Sequence, residues 1–436
     1  MSPSDEKQAQ LLLDIALKEV EYLKNHDGLT GLHNLAAMFK TFANWHSAGQ
    51  MYGVLYLDIN HFNLIEQMYG HEISEQILVE TAARLQANQP KHSLIARVGS
   101  DEFVVLLPLK EIEEAHAHAN RLLASLQQKY YLKNNTCSIT CCIGIGIYPN
   151  NGSALEHVVQ KAASAVLKAK HDGLTIAYYQ PAFHRSLCRK LAIDQALRVA
   201  IQNQKLEIFL QPKVRLHDQS VSGYEALLRW DDNTLGTVAP AEFVKVAEQM
   251  GLATEIDQYV LDAVFKFQAR QQASGLTLSP IAVNITSSHF NSQTLPDFIF
   301  ECAQKYAVPV NIIELELTEG TLMHRDKAVL QNMDTLRDAG IRIYIDDFGT
   351  GYSSFVYLRD LRVDGLKIDQ SFVREMDSER GLGLVHAIIS LAKASGLVTI
   401  AEGVETEKQS DRLVELGCNY GQGYFYGRPK AITNLI

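Results

Sequence analysis

IRIYIDDFGTGYSSFVYLRDLRVDGLKIDQSFV, residues 341–373, reads as a βαβ unit whose ionisable groups gather at the ends of its strands. A run of strand-forming residues leads into Asp346 and Asp347, and Gly349 and Gly351 then open a loop. Tyr352 to Leu361 has apolar residues at helical spacing, and the short run Leu366-Lys367-Ile368 presents Lys367 and then Asp369. Adjacent carboxylates repel, so a buried pair calls for a cation, and Mg²⁺ or Mn²⁺ prefers such hard oxygen ligands. An Asp pair before glycine also serves turns and caps. The rest of the chain decides between the two.

This stretch belongs to a series of eight short apolar runs: LEIFLQP, SVSGYEALLRW, IAVNIT, IIELELTE, IRIYIDD, DGLKID, LVTIAEGVE and YGQGYFYG. Helical patterns separate most of them, including Pro240 to Gln249, Ile256 to Ser274, Leu295 to Tyr306, Asp326 to Ala339, Gly381 to Ser395 and Glu407 to Leu416. The expected fold class is α/β, a (β/α)₈ TIM-like barrel. The turn Leu216 to Ser220 is too short for a parallel crossover, which makes the first two strands antiparallel neighbours. Barrel chemistry collects at the carboxyl ends of strands. Those ends carry Gln211, Glu225 with Arg229, Asn284, Glu316 with Glu319, Asp346 with Asp347, Lys367 with Asp369, Glu402 with Glu405, and Gln422. A ring of carboxylates and an amide, without His or Cys, suits Mg²⁺ or Mn²⁺ and not structural zinc. Two such ions bridged by a carboxylate form the arrangement for in-line attack of water on a phosphodiester.

Ahead of the barrel, residues 27–180 alternate strands and helices: MYGVLYLDI, a helix from Gly70 to Gln86, the hairpin SLIARVGSDEFVVLLPL, a helix from Ile112 to Lys129, SITCCIGIGIYP, and a helix from Leu155 to His171. The pattern predicts an α+β domain on a mostly antiparallel sheet. Residues 181–204 read as a linker helix and 205–436 as the barrel domain. Residues 1–26 hold a short helix, Ser4 to Leu23, that either packs on its own domain or pairs with a second copy. The formal charge of −10 leaves no basic footprint for nucleic acid. The six cysteines lack metal spacing and suit a reduced cytoplasm. The sequence has neither a run long enough to span a membrane nor a signal peptide at its start, which gives the expectation of a cytoplasmic protein.

EALLRW, VNIT, ELTE, IDDFGTGYSS, LKID, AEGVE and GQGYFYGRP together resemble the EAL family of cyclic-di-GMP phosphodiesterases over about Leu206 to Pro429. The resemblance implies hydrolysis of cyclic di-GMP to linear pGpG with Mg²⁺ or Mn²⁺, two ions per site. It implies metal ligation by Glu225, Asn284, Glu316, Asp346 and Asp347, with Lys367 and Glu402 positioning and deprotonating the attacking water. Gln211 and Arg229 hold substrate, Glu319 braces the loop after the fifth strand, and Gln422 assists the water or metal shell. A homodimer is expected near Tyr352 to Leu361, where Phe355, Tyr357 and Leu358 offer apolar surface. The rival function is a catalytically silent receptor, which should have lost ligands that this chain keeps.

DGLTGLHN, LDINHF, RVGSDEF and AASAVLKAK resemble the GGDEF diguanylate cyclase domain, in a degenerate form. In that family the signature turn approaches GTP and acids bind Mg²⁺; the matching positions are Asp58, Gly99, Asp101 and Glu102. Ser100 replaces the second glycine, adding a side chain where phosphate approaches and where a turn can require positive φ. Asn60 and Asn63 stand where the family has an acid and a lysine, Leu174 where it has an arginine, and Glu66 where it has the guanine-reading asparagine; Glu75 can still serve for its aspartate. Lys170 alone remains to face a triphosphate, and Pro90 and Ser93 occupy the product-inhibition positions. The domain is therefore expected to be inactive as a cyclase and regulatory or structural. Residual cyclase activity and weak GTP binding are the alternatives.

Overall fold

The computed structural model describes residues 20, 22–47, 49–132, 135–323, 327–349 and 362–435. The expected helix over Ser4 to Leu23 lies outside them except for its end, and Tyr352 to Leu361 lies outside them altogether. The chain divides into two compact units, Met1–Cys188 and Arg189–Ile436.

In the first unit Met51–Ile59 pairs antiparallel with both Glu102–Leu109 and Cys141–Tyr148, and Leu94–Arg97 completes the expected hairpin with Glu102–Leu109. His33–Asn34 and Ile176–Tyr178 add short parallel edges. Strand side chains alternate between faces, so Leu55, Leu57 and Ile59 pack with helices His71–Ala87 and Glu113–Leu126, while Tyr52 and Val54 pack with Leu35–Trp45 and Leu155–Asp172. A Cβ at Gly144 would collide with the Ala162 carbonyl, so glycine is what lets Leu155–Asp172 lie directly on the central strand. The helix Leu35–Trp45, capped by the Asn34 side chain on Ala37 N, was not foreseen from the sequence.

The second unit is a closed eight-stranded barrel: β1 Glu207–Arg215, β2 Val221–Asp232, β3 Ile281–Asn284, β4 Ile313–Thr318, β5 Arg342–Phe348, β6 Gly365–Ile368, β7 Val398–Ala401 and β8 Tyr420–Gln422. Neighbours from β2 to β8 run parallel, and β1 closes the barrel antiparallel to both β2 and β8, as the short first turn implies. Alternation explains the unusual run Glu314-Leu315-Glu316-Leu317 in β4. The leucines join the apolar layer under the helices, and both acids, each 1% exposed, enter the barrel. Glu314 pairs there with Lys213 of β1 and, at 2.6 Å, with Arg342 of β5. Two residues further along β4, Glu316 enters the candidate site.

Candidate active site

Lys367 of β6 is the hub. Only 1% exposed, its Nζ lies 2.6 Å from Glu402 Oε1, 2.7 Å from Glu316 Oε2, 3.1 Å from Asp346 Oδ1 and 3.5 Å from Glu225 Oε2. Four carboxylates thus share one ammonium: Glu225 from the middle of β2, Glu316 and Asp346 from the later parts of β4 and β5, and Glu402 directly after β7. Gln422 Nε2 donates to Glu225 Oε2 at 2.5 Å and to Gln211 Oε1 at 3.3 Å, and Asn284 Nδ2 donates to Glu225 Oε1 at 2.8 Å. Eight of the residues expected at strand ends are therefore joined in one network, although Gln211 and Glu225 lie within β1 and β2 and not at their ends.

Asp347 joins the cluster by breaking the strand rule. Alternation alone would send Asp346 and Asp347 to opposite faces. Asp347 instead has φ +52°, and the β5–β6 register shifts between Ile345 and Phe348. Carboxylate oxygens of Asp346, Asp347 and Glu402 consequently lie within 4.8 Å of one another. A non-glycine residue in the left-handed region is uncommon and costs energy that its surroundings must offset.

The electrostatics follow from too many acids around one base. Burial works against the Lys367 charge, yet Asp346, Glu225, Glu316 and Glu402 hold its pKa well above the ordinary lysine value. Burial and the Glu225 charge push Glu316 well above the carboxylate range. Burial also pushes Glu402 up to about 8, with Lys367 opposing and Asp346 and Glu225 reinforcing. Asp347 is raised by burial, Asp346 and Asp369. Glu225 goes the other way: its burial is outweighed by Lys367 and by hydrogen bonds from Gln422 and Asn284. Carboxylates forced towards protonation, with an amide alongside and no soft ligand, form a donor set that fits a hard divalent cation.

Two clefts meet at this cluster. One of about 280 Å³ is lined by Gln211, Glu225, Glu402, Glu405 and Gln422 together with Tyr424. The other, of about 440 Å³, is lined by Arg229, Asn284, Glu316 and Asp347 together with Asp257 and Thr286. Asp346 and Leu227 border both. Arg229 stands away from the Lys367 network, donating from Nη1 to Leu228 O at 2.7 Å. Asp369 caps the next helix through Ser371 N, and Glu405 faces Arg374 at 3.6 Å. Both Glu319 carboxylate oxygens are buried without a hydrogen-bond partner among the described residues; the loop Glu319 is expected to brace lies largely outside them. Asp257 was missed by the sequence reading. Its signal was an acid on the buried side of a helix, spaced with Val260, Leu261 and Val264.

In the first unit Lys170 Nζ lies 2.5 Å from Asp58 Oδ1, Ser100 Oγ donates to Asp101 Oδ1 at 2.7 Å, and Arg97 Nη2 donates to Ser100 O at 2.7 Å. Burial, opposed by a hydrogen bond to Tyr56 and reinforced by Asp58 and Asp101, raises Glu102. A Cβ at Gly99 would meet the Glu102 carboxylate, which would have to swing aside to admit it. Ser100 is not among the positive-φ residues, so of the two costs weighed for a side chain in the signature turn only its volume applies. His71 bridges Glu66 at 3.0 Å and Glu75 at 3.3 Å.

Residues 194–429 match the family model of the EAL domain, and residues 24–175 match that of the diguanylate cyclase GGDEF domain. The chain is 32% identical over 432 residues to the cyclic di-GMP phosphodiesterase NbdA of Pseudomonas aeruginosa, covering 97% of this chain and 55% of NbdA. It is 33% identical over 428 residues to the bifunctional diguanylate cyclase/cyclic di-GMP phosphodiesterase MucR of the same organism, covering 97% and 62%. The chain thus spans little more than half the length of these curated relatives. Among solved structures, a c-di-GMP complex of PaMucR phosphodiesterase matches with a TM-score of 0.54 and 36% identity, covering 56% of this chain and all of that one.

Proposed function

The chain belongs to the EAL family, with a GGDEF domain ahead of its EAL domain, and on that footing we propose that the barrel hydrolyses one phosphodiester bond of cyclic di-GMP to give linear pGpG. The observation that carries this reading is the convergence of Glu225, Glu316, Asp346 and Glu402 on the buried Lys367, where two clefts meet. A cyclic dinucleotide carries two bases flanking its phosphodiesters, and two clefts joined over Asp346 suit that shape.

Glu225, Asn284, Glu316, Asp346 and Asp347 would hold Mg²⁺ or Mn²⁺, in one or two ions. When bound, the metal supplies charge neutralisation at the phosphodiester and a lowered pKa for water. Glu402 is the proton acceptor for the attacking water, and Lys367, 2.6 Å away, fixes its carboxylate. Gln422 holds Glu225 by its amide nitrogen, while its Oε1 is buried without a partner among the described residues and is free to accept from water. Arg229 supplies a charge-assisted contact for phosphate from the larger cleft, and Gln211 borders the smaller one. In the first unit the one cation left for a triphosphate, Lys170, is engaged by Asp58, which supports a regulatory or structural domain that makes no cyclic di-GMP. The helix Pro181–Gln202 carries the chain from the first unit into the second.

Incubation of the purified chain with cyclic di-GMP and Mg²⁺, followed by chromatography, should give pGpG, and replacing Mg²⁺ by Ca²⁺ should stop turnover, because calcium's looser coordination does not keep the same geometry. Tight binding of cyclic di-GMP with no product would instead establish a receptor.

A further inference from the structure

Asn284 and Thr286 leave β3 on a segment that is tied down from behind by a buried acid. Asp257, 3% exposed on helix Ala253–Ala273, accepts three hydrogen bonds at one oxygen. Its Oδ2 takes the Thr286 amide at 2.9 Å, the Thr286 hydroxyl at 2.7 Å and the His289 Nδ1 at 3.3 Å. His289 is wholly buried. The far end of the same segment is held separately, by Asn332 Nδ2 donating to Phe290 O at 2.7 Å and Ser292 O at 2.8 Å. A charged oxygen buried beneath the active face, with all three donors from one turn, is a strong orienting device, since charge-assisted bonds are about twice as strong as neutral ones.

We infer that Asp257, with His289, is a positioning residue that sets the Asn284 side chain for metal capture. Asn284 is two residues before Thr286, and its Nδ2 is committed to Glu225 Oε1 at 2.8 Å. That bond leaves the amide carbonyl oxygen as the ligand atom, and its direction depends on where the turn holds the Asn284 backbone. Loss of Asp257 would let Thr286 move and carry Asn284 with it. Partners that orient metal ligands from behind commonly contribute about 10- to 100-fold in metal affinity. The inference rests on the proposed ligation by Asn284 and Glu225.

The test is Mn²⁺ binding to the full chain by calorimetry, without nucleotide, alongside thermal melting. Asp257→Ala should weaken Mn²⁺ binding by about tenfold or more, and Asp257→Asn, which keeps an acceptor, should fall between it and wild type. Thr286→Val, which removes one donor and keeps the shape, should also weaken it and serves if Asp257→Ala does not fold. Asn332→Ala should lower the melting temperature and leave Mn²⁺ affinity unchanged. Unchanged affinity in folded Asp257→Ala and Thr286→Val, or an equal loss in Asn332→Ala, would overturn the inference alone. A wild-type chain that takes up no Mn²⁺ would overturn the ligand assignment as well.

Discussion

Lys367 makes the site both stable and hungry for cations. One ammonium cannot neutralise Glu225, Glu316, Asp346 and Glu402 together, so part of the cluster holds protons when metal is absent. For a carboxyl whose folded pKa is raised, the favourable contribution is complete below the unfolded value and disappears as pH climbs through the folded one. For Glu402 that window runs from the ordinary glutamate value of 4.5 to about 8. The melting temperature of chelator-treated protein should therefore fall between about pH 4.5 and about pH 8, and Mg²⁺ should flatten the slope. A chelated protein with no such slope would contradict the raised Glu402. Glu402→Ala should cut turnover by about 10²–10⁴-fold or more. It removes one acid from an overcrowded cluster, so the metal-free variant should melt no lower than wild type.

Local architecture around the site is stabilised by caps and close approaches. Thr406 and Gln409 form a reciprocal capping box at the start of helix Glu407–Glu415, directly after the Glu402–Glu405 segment. Thr406→Ala should cost about 1 kcal/mol, read as a drop of about 2–4 °C for a unit of this size. In the first unit Gly144→Ala would drive a methyl group into the Ala162 carbonyl and cost about 1–3 kcal/mol. Calorimetry should place the loss in the transition of that unit. The Thr406–Gln409 pair is a local spacing that the sequence displays, whereas the approach of Gly144 to Ala162 is made only by packing.

The roles proposed for the two units of the chain can be tested separately. Purified Glu402→Ala protein, unable to destroy a product, should accumulate no cyclic di-GMP from GTP and Mg²⁺. Accumulation would show that the GGDEF domain is a working cyclase despite Ser100 and Asn63. Calorimetry with GTP on the same protein separates a nucleotide-sensing domain from a purely structural one. Self-association through the barrel, expected from Phe355, Tyr357 and Leu358, should appear as a dimer mass by light scattering at micromolar protein. A monomer with full activity would dismiss it.

Much of this was legible in the chain. Eight apolar runs with helices between them, and one turn too short for a crossover, specify a barrel with one reversed strand, because periodicity and loop length are local properties. Glu225, Asn284, Glu316, Lys367 and Glu402 could be singled out as candidates from the apolar runs that carry them. Folding alone settled how they meet. Lys367 contacts acids from residue 225 to residue 402, a convergence that closure of the barrel creates. Asp346 and Asp347 share one cluster because of a left-handed residue and a register break, and a period of two would have separated them. Asp257 becomes visible only when its helix packs beneath the Thr286 turn. Such relations depend on contacts far apart in the chain, which no local pattern of residues encodes.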